Sequence, residues 1–562
     1  MQRSMRGEQA NGVNGHTNGD AQTNGGPLEL DLDAVVIGAG FAGVYLLHRL
    51  RQEGLNVKLI EAGDGLGGIW YWNNYPGARV DSQYPIYALA IPEVYETWEW
   101  TEQYPGSAEL QRYFKHIDSV LDISKDTIYN TRVSKASWDE AENKWRITCD
   151  NGTRINTRFM NCCLGFAAKR HFPDWPGLTD YKGYMCHSSF WPVDGVDMKG
   201  KKMAVVGNGA TGIQIAQTAA RDASELAVFI RTPNTCIPMN QNKVDPVQAK
   251  KDLETMGDKL GRERYLNHGG FLFNGQNKNV FDDTEEQRNK VLDSALDDGG
   301  FRVLFEYNDL LTDEKANRYI YDHLMARTRA RMTNKEKADI IAPLEPPHPF
   351  AGKRPSLEQD YYEQMDKPHV KIIDIKTNPV SHVTETGIVT KDGTHHDLDI
   401  IAIATGFDSL TGGFMEINFT GVDGQKLDKK WTGDRGALSY LGMTVNKFPN
   451  MFYTYGPHSP TAYANGPSIV QPQGDWITDV ILKMNEEGKT RIHAKQEAEE
   501  DWKEMINKTH AMSLRDKVDS WYMGSNIPGK PRAPLNYSLG VPAYIKSINE
   551  ALENNYAGFE VS

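Results

Sequence analysis

The hydrophobic positions of the chain fall into short runs, separated by glycines and by longer amphipathic stretches. Residues 33–37 are apolar after their first position and predict a buried strand, and a glycine-rich turn and a helix ending near Gln52 follow. Residues 57–60 are apolar except for Lys58 and predict a second strand. This succession indicates a β-α-β unit, because parallel strands need a crossover connection between them.

The same succession of strand, glycines, helix and strand recurs later in the chain. Residues 202–206 are apolar after a leading lysine, a glycine-rich turn and a helical pattern follow, and residues 226–230 form the next apolar run. Two such units favour an α/β fold with two Rossmann-like dinucleotide-binding domains.

The first glycine turn has the residues that a dinucleotide site requires. Gly38, followed by Ala39, permits the tight turn, while Gly40 lets the backbone approach a pyrophosphate. Gly43 lets the helix pack closely on the strand. Glu61 follows the second strand, where a carboxylate accepts hydrogen bonds from ribose hydroxyls. The turn therefore predicts a dinucleotide whose phosphates bind at the helix N-terminus.

The second glycine turn differs from the first in the residues after its second strand. The turn consists of Gly207, Asn208, Gly209, Ala210, Thr211 and Gly212. Arg231 and Thr232 occupy the place that corresponds to Glu61. A carboxylate there would repel a 2′-phosphate, whereas arginine binds one through two hydrogen bonds. The first site is therefore predicted to hold FAD and the second NADPH.

Domain boundaries follow from these two units. Charged sequence after the second unit, from 240 to about 344, has amphipathic stretches at 246–259 and 284–296 and predicts a helical insertion in the second domain. The first residues are rich in Gly, Asn and Thr, which predicts disorder. The predicted parts are 1–29 for the disordered tail, 30–170 and 400–550 for a discontinuous FAD-binding domain, 175–239 and 335–399 for the NADP-binding domain, and 240–334 for the helical insertion.

Composition excludes several classes of function. The net charge of −13 disfavours nucleic acid or an anionic membrane as the main partner. None of the cysteines forms a C-x-x-C pair, so a cysteine-based redox centre is not expected. The chain has no signal-peptide core and no apolar run of membrane-spanning length, which predicts a cytoplasmic protein. No metal and no protein partner are predicted.

Two further motifs match one family of flavoenzymes. Residues 181–192 follow the pattern F-x-G-x-x-x-H-x-x-x-W-P, with Tyr181 in place of the phenylalanine. Residues 67–81 follow G-G-x-W-x-x-x-x-Y-P-G-x-x-x-D. On these motifs the chain resembles the Baeyer–Villiger monooxygenases. The G-K-R-P, A-T-G-F-D and C-terminal loop segments, at 352–355, 404–408 and 521–530, resemble that family too.

The resemblance implies a reaction as well as a fold. It implies oxidation of ketones to esters or lactones by NADPH and O2 through a flavin C4a-peroxide, with sulfide oxidation as a side activity. It assigns Arg354 as the catalytic cation beside the flavin and Asp81 as the carboxylate that holds it. His187, in the motif at 181–192, is expected to be a hydrogen-bonded structural hinge, because a histidine in a domain connector is more often structural than catalytic.

Further cofactor contacts are implied by the resemblance. Lys353 is expected to assist the second site in binding the 2′-phosphate, and Trp521 to contact the nicotinamide ribose. Trp70 and Tyr87 are expected to pack against the flavin, with Asp81 beside them. One departure lies at 163–165, which read C-L-G where many relatives have A-T-G. That change falls in a linker and does not touch the reacting groups.

Two alternatives accompany this interpretation. An N- or S-hydroxylating flavin monooxygenase would use the same scaffold, but Trp191 and the pair of Asp81 and Arg354 favour ketone oxidation. An inactive FAD-binding interaction protein is the other alternative. The two intact glycine turns and the complete K-R-P segment argue against it.

Overall fold

The computed structural model describes residues 26–562, and the tail predicted at 1–29 lies outside the described residues as far as residue 25. The strands are β1 (Glu29–Ile37), β2 (Val57–Ile60), β3 (Thr127–Ile128), β4 (Val133–Asp139), β5 (Lys144–Cys149), β6 (Arg154–Cys162), β7 (Tyr184–His187), β8 (Lys202–Val206), β9 (Glu225–Ile230), β10 (Cys236–Pro238), β11 (Ser356–Glu358), β12 (Val370–Asp374), β13 (Val380–Val383), β14 (Gly387–Thr390), β15 (His395–Asp397), β16 (Ile400–Ile403), β17 (Asn418–Thr420), β18 (Met451–Tyr453), β19 (Ile492–Ala494) and β20 (Phe559–Val561).

Helices flank both sheets and are the main regular elements of the insertion. They are α1 (Phe41–Gln52), α2 (Ile69–Trp72), α3 (Pro92–Tyr95), α4 (Ser107–Leu121), α5 (Ala210–Ala219), α6 (Pro246–Leu253), α7 (Met256–Gly261), α8 (Glu285–Asp298), α9 (Glu314–Arg329), α10 (Lys335–Ile341), α11 (Tyr361–Asp366), α12 (Gly412–Met415), α13 (Leu427–Thr432), α14 (Pro467–Glu486), α15 (Gln496–Ala511) and α16 (Val541–Glu553).

The first sheet has eight strands and is built around β1. Its order is β17-β4-β5-β6-β1-β2-β3, with β18 also paired to β6. β1 runs parallel to β2 and β6, while β4, β5 and β6 pair antiparallel. The apolar end of β1 is fully covered, with Val35 and Val36 both inaccessible to solvent. The glycine turn after β1 therefore emerges at the carboxyl edge of the sheet, where α/β folds bind ligands.

The second sheet has five strands, all parallel, in the order β12-β9-β8-β16-β7. Its central strand, β8, leads into the second glycine turn. One predicted domain boundary is wrong. From the sequence, residues 400–403 are predicted to lie in the first domain, whereas β16 lies in the second sheet. Ile400 pairs with Met203 of β8, and Ile403 pairs with Val206. An apolar run predicts a buried strand but does not indicate whether that strand joins the first or the second sheet.

The insertion contains α6 to α9 and several short turns. The stretch predicted as one helix at 246–259 is two helices, since the backbone leaves the helical region at Thr255, with φ −117° and ψ 6°. α8 begins at a capping box in which the Gln287 N–H donates to Thr284 Oγ1 and the Thr284 N–H donates to Gln287 Oε1. Within residues 26–562, no helix has both the length and the apolar character needed to cross a membrane.

Candidate active site

The first glycine turn is shaped by contacts that only glycine permits. Gly38 has φ +104°, and a Cβ on Gly43 would lie 1.8 Å from the Gly38 carbonyl oxygen. A Cβ on Gly68, the second residue of the G-G-x-W motif, would lie 2.8 Å from the Gly40 Cα. The two motifs are therefore in backbone contact, which places the turn before α2, the helix that carries Trp70, against the predicted pyrophosphate site.

Glu61 is buried beside this turn. Its Oε2 accepts a hydrogen bond from the Ala39 N–H at 2.7 Å, and its Oε1 accepts one from the Gly63 N–H at 2.7 Å. Burial raises the pKa of Glu61, more than these backbone donors lower it. No side chain caps α1, whose N-cap residue is Gly40. The N–H groups of its first turn thus have no side-chain partner there, and the residues present fit a dinucleotide pyrophosphate.

The second glycine turn repeats this geometry. Gly207 has φ +112°, and a Cβ on Gly212 would lie 2.2 Å from the Gly207 carbonyl oxygen. A Cβ on Gly209 would meet nothing within 4 Å, so the turn leaves space in front of α5. Asn208 is fixed because its Nδ2 donates to the Tyr361 hydroxyl at 2.9 Å and its Oδ1 accepts from the backbone N–H of Asn234 at 2.9 Å. This arrangement also fits a pyrophosphate.

Two cationic side chains, Arg231 and Lys353, lie close together beyond the second turn. Arg231 is exposed, and no carboxylate of residues 26–562 forms an ion pair with it. Burial and the neighbouring charge of Arg231 lower the pKa of Lys353, more than the Asp519 carboxylate raises it. Thr232, which follows Arg231, is half-buried. Two repelling cations with no carboxylate paired to Arg231 fit the binding of an anion such as a 2′-phosphate.

Arg354 and Asp81 form a bidentate ion pair. Arg354 Nε donates to Asp81 Oδ2 at 2.6 Å, and Arg354 Nη2 donates to Asp81 Oδ1 at 2.9 Å. Arg354 Nη1 donates to the Ala462 carbonyl oxygen at 2.9 Å, and the guanidinium lies 4.7 Å from the centre of the Phe301 ring. Burial lowers the pKa of Arg354, but the Asp81 charge outweighs it and the net shift is upward. The guanidinium is therefore permanently charged and fixed in orientation.

Aromatic side chains surround this ion pair. Trp70 Nε1 donates to the Tyr87 hydroxyl at 3.2 Å, and the two rings are perpendicular. Burial raises the pKa of Tyr87, and so does the neighbouring Tyr455. Tyr455 interacts electrostatically with both Arg354 and Asp81. Both tyrosines stay protonated at neutral pH and can act only as neutral hydrogen-bonding groups.

Trp521 lies on a short turn of the C-terminal loop. Its ring stacks on Phe166, with centroids 5.8 Å apart and planes 22° apart. Phe166 belongs to the linker that follows β6, and it also makes an edge contact with the Tyr455 ring at 5.9 Å. Trp521 thus contacts a linker between the two sheets and remains half-buried.

The Y-P-G part of the second family motif connects the two nucleotide sites. The Tyr75 hydroxyl donates to Gln214 Oε1 on α5 at 2.9 Å, and a Cβ on Gly77 would lie 2.7 Å from the Gln214 carbonyl oxygen. Thr211 of the second glycine turn donates from its Oγ1 to the Tyr75 hydroxyl at 3.4 Å. The motif therefore packs the first domain against the helix that begins the second nucleotide site.

His187 has the geometry of a structural residue. The Ser189 N–H donates to His187 Nδ1 at 3.3 Å, so the ring proton is on Nε2, which donates to the Gly406 carbonyl oxygen at 3.0 Å. Burial lowers the pKa of His187 to about 4. The neutral ring joins β7 to the segment after β16.

Four residues of this site were not predicted from the sequence: Phe166, Phe301, Tyr455 and Ala462. Ala462 contributes only its carbonyl group, which no side-chain pattern reveals. Phe301 follows two glycines with positive φ, Gly299 and Gly300, and such a pair predicts a turn without indicating what it approaches. Tyr455 has φ +54°, and a strained non-glycine residue near an active site is a structural signal that the sequence does not carry.

The cysteines of the described chain are all buried and free. Burial raises the pKa of Cys163 to about 12, so its thiol is not ionised at neutral pH. No group of three or more histidine, cysteine or acidic side chains within residues 26–562 could hold a metal ion.

Comparison with known proteins extends over almost the whole chain. A family model described as pyridine nucleotide-disulphide oxidoreductase matches residues 32–257. Cyclopentanone 1,2-monooxygenase of Comamonas sp. is 40% identical, over 94% of this chain and 96% of its own length. FAD-binding monooxygenase acrE of Aspergillus aculeatus is 38% identical, over 95% of this chain and 89% of its own. The solved structure of OTEMO in complex with FAD and NADP has a TM-score of 0.90 at 32% identity, covering 94% of this chain and 99% of that one.

The family model that matches is named for disulphide oxidoreductases, but none of the cysteines of this chain forms a C-x-x-C pair. The full-length relatives are monooxygenases, and the matched structure carries both predicted cofactors. The predicted family, fold class and cofactors are thereby confirmed. The chain belongs to the Baeyer–Villiger monooxygenases, the FAD- and NADPH-dependent enzymes that oxidise ketones with O2.

Proposed function

We propose that the Arg354 guanidinium, held by Asp81, is the cation that this chain uses to transfer oxygen to a ketone. The observation that carries the proposal is the bidentate pair, with N···O distances of 2.6 and 2.9 Å. Overall, ketone, O2, NADPH and a proton give ester or lactone, NADP⁺ and water. A fixed positive charge stabilises the negative charge that develops on oxygen during this reaction, because it needs no reorganisation at the moment of transfer.

FAD, when bound, supplies the reducible ring that takes electrons from NADPH and activates O2. In our proposal the first glycine turn holds its pyrophosphate at the N-terminus of α1, and Glu61 accepts hydrogen bonds from its ribose. Glu61 accepts backbone hydrogen bonds from Ala39 and Gly63, and its two carboxylate oxygens have lone pairs for further donors. Trp70 and Tyr87 contribute contacts on the flavin side, in keeping with their place beside Arg354 and Asp81.

NADPH is held by the second glycine turn and by the cations beyond it. We assign the 2′-phosphate to Arg231 and Thr232, with Lys353 adding a second charge. The position of Lys353 directly before Arg354 connects cofactor binding with the reaction centre. Trp521 is assigned to the nicotinamide ribose, and its stacking on Phe166 orients its ring.

The substrate that suits this site is a ketone with an apolar body. Phe301, under the Arg354 guanidinium, packs edge-on against Phe271 with centroids 6.0 Å apart. Phe271 in turn stacks on Phe273 at 5.1 Å and contacts Phe305 at 5.8 Å. Phe301 and Phe271 are buried, so the surroundings of the cation on this side are apolar. The activity of a relative on cyclopentanone, as its name states, agrees with such a substrate.

A panel of substrates tests the proposal. Linear, cyclic and aryl ketones would be incubated with enzyme, NADPH and O2, and mass spectrometry would detect products heavier by one oxygen atom. A sulfide and a tertiary amine belong in the panel, because sulfide oxidation is predicted as a side activity and amine oxidation is the main alternative. Conversion of ketones to esters or lactones supports the proposal, whereas conversion of the amine alone would contradict it.

We also propose a cytoplasmic location, which the composition of the sequence favours. The domain boundaries, with residues 400–403 moved to the second domain, remain our proposal for the limits of the two nucleotide-binding units.

A further inference from the structure

The ends of two motifs that the proposed chemistry leaves unused meet in an ion pair. Asp408 ends the A-T-G-F-D segment, and Lys530 ends the C-terminal loop. Lys530 Nζ donates to Asp408 Oδ1 at 2.7 Å and to the Ser409 carbonyl oxygen at 3.0 Å. The two side chains are only 14% and 11% exposed. Such a pair is largely desolvated, so the removal of one partner has a larger effect than on an open surface.

Two further contacts fix the same loop. Asn526 Nδ2 donates to the Phe407 carbonyl oxygen at 2.9 Å. Trp521, at the start of the loop, stacks on Phe166. The loop is therefore held at its beginning, its middle and its end, and each contact is made with a segment outside the loop.

The segments that receive these contacts are the two crossings between the sheets. One crossing runs from the end of β6 to β7 and contains Phe166, and the other runs from β16 to β17 and contains Phe407 and Asp408. They pair with each other, because Arg170 and Phe407 form an antiparallel bridge and the Asp408 N–H donates to the Lys169 carbonyl oxygen at 2.8 Å. The C-terminal loop thus binds where the two domains join.

We infer that Lys530 and Asn526 are positioning residues that hold Trp521 at the nicotinamide side by fastening its loop to both domain crossings. The inference rests on the role proposed for Trp521. In this arrangement the loop is fastened to both crossings, and the crossings pair with each other. Neither Lys530 nor Asn526 needs to touch the cofactor for this effect.

The ion pair allows a variant that should leave the fold intact. Asp408 has a second partner, since Lys169 Nζ lies 3.6 Å from its Oδ2. Lys530→Met therefore removes the loop's charge without leaving the buried carboxylate unpaired, while the methionine retains the apolar stem. A matched control is Lys517→Met in the preceding turn, where Lys517 pairs with Glu314 on an open surface, with the two side chains 58% and 70% exposed.

Steady-state kinetics with NADPH and a converted ketone would test the inference. For Lys530→Met we expect the KM for NADPH to rise about tenfold or more. The loop loses a charge-assisted hydrogen bond to Asp408 and therefore holds Trp521 in place for less of the time. The fraction of consumed NADPH that yields ester should fall, with hydrogen peroxide in its place. FAD content and the rate of flavin reduction at saturating NADPH should match those of Lys517→Met. Lys530→Arg should recover part of the ester yield per NADPH consumed.

Asn526→Ala gives a second test if Lys530→Met fails to retain FAD, and the same direction of change is expected. Kinetics of either variant equal to those of Lys517→Met would overturn the inference. Trp521→Ala separates this failure from that of the proposed function. If Trp521→Ala leaves the KM for NADPH unchanged, the role proposed for Trp521 fails. If it raises the KM while Lys530→Met and Asn526→Ala do not, only the positioning inference fails.

Discussion

Arg354 and Asp81 are separated by 273 residues in the chain, yet two parallel N–H···O bonds join them. A lysine could not reproduce this geometry, because its ammonium is a point charge without the planar fork of the guanidinium. The pair also connects the two domains, since Asp81 follows the Y-P-G motif of the first domain and Arg354 lies beyond the insertion of the second. The charge proposed for catalysis is therefore placed only when both domains are assembled.

Arg231 is predicted to select NADPH over NADH. Arg231→Ala should raise the KM for NADPH by roughly ten- to a hundredfold, the loss of about 1.5–3 kcal/mol from one charge-assisted contact. The KM for NADH should change little, because NADH has no 2′-phosphate. Arg221→Ala serves as the control, since Arg221 is an arginine of the same domain that pairs with Asp360. Equal damage with both coenzymes would remove Arg231 from the phosphate site.

Two substitutions in the second glycine turn are predicted to have different effects, one on stability and the other on coenzyme binding. Gly212→Ala places a Cβ 2.2 Å from the Gly207 carbonyl oxygen, so it should destabilise the protein by about 1–3 kcal/mol and lower its Tm. Gly209→Ala meets no protein atom within 4 Å, so its Tm should stay near that of the wild type. Its KM for NADPH should nevertheless rise, because the methyl group enters the space proposed for the pyrophosphate. Thermal unfolding and steady-state kinetics of the two variants provide the comparison.

His187 is predicted to make stability depend on pH. Burial lowers its pKa to about 4 in the folded protein, below the ordinary value of 6.5. The neutral ring is thus favoured by folding, and its contribution is present above about pH 6.5 and is lost as the pH falls towards 4. From pH 7 to pH 5 the wild type should lose about 2 kcal/mol more stability than His187→Gln, which cannot be protonated. Tm values of both proteins at the two pH values measure this difference, and parallel curves would show that His187 is not the titrating group.

Much of the nucleotide-binding architecture could be predicted from the sequence, because local steric demands determine it. Gly38 and Gly43 are required by contacts within one turn, so their spacing alone indicates the turn. Asp81 could be predicted as the partner of Arg354 only from the resemblance to a known family. Two residues so far apart in the chain have no spacing pattern that indicates contact. The approach of Phe301 to Arg354 and the pairing of Lys530 with Asp408 depend on how whole segments pack.

Elements that could join either domain were the least predictable. The strand at 400–403 is uniformly apolar, and such a run suits the centre of either parallel sheet. The break at Thr255 was missed because the charge pattern of 246–259 continues across it. Both errors arise where the deciding contacts are made by other parts of the chain.

The central claim is that Arg354 acts in oxygen transfer and not in cofactor binding. Arg354→Ala should retain FAD and accept electrons from NADPH at close to the wild-type rate, because neither step develops negative charge at the guanidinium. Ketone oxidation should fall by about a hundred- to a thousandfold, as expected when one preorganised donor worth roughly 3–4 kcal/mol is removed. Asp81→Ala should show a milder loss of the same kind, because the guanidinium loses its fixed orientation.

The most direct measurement is therefore stopped-flow absorbance of Arg354→Ala through flavin reduction and reoxidation, with the ester quantified in the same samples. The account predicts normal reduction by NADPH, reoxidation that releases hydrogen peroxide, and almost no ester. Ester formation by Arg354→Ala at close to the wild-type rate would contradict the assignment of Arg354, and with it the placement of the active site.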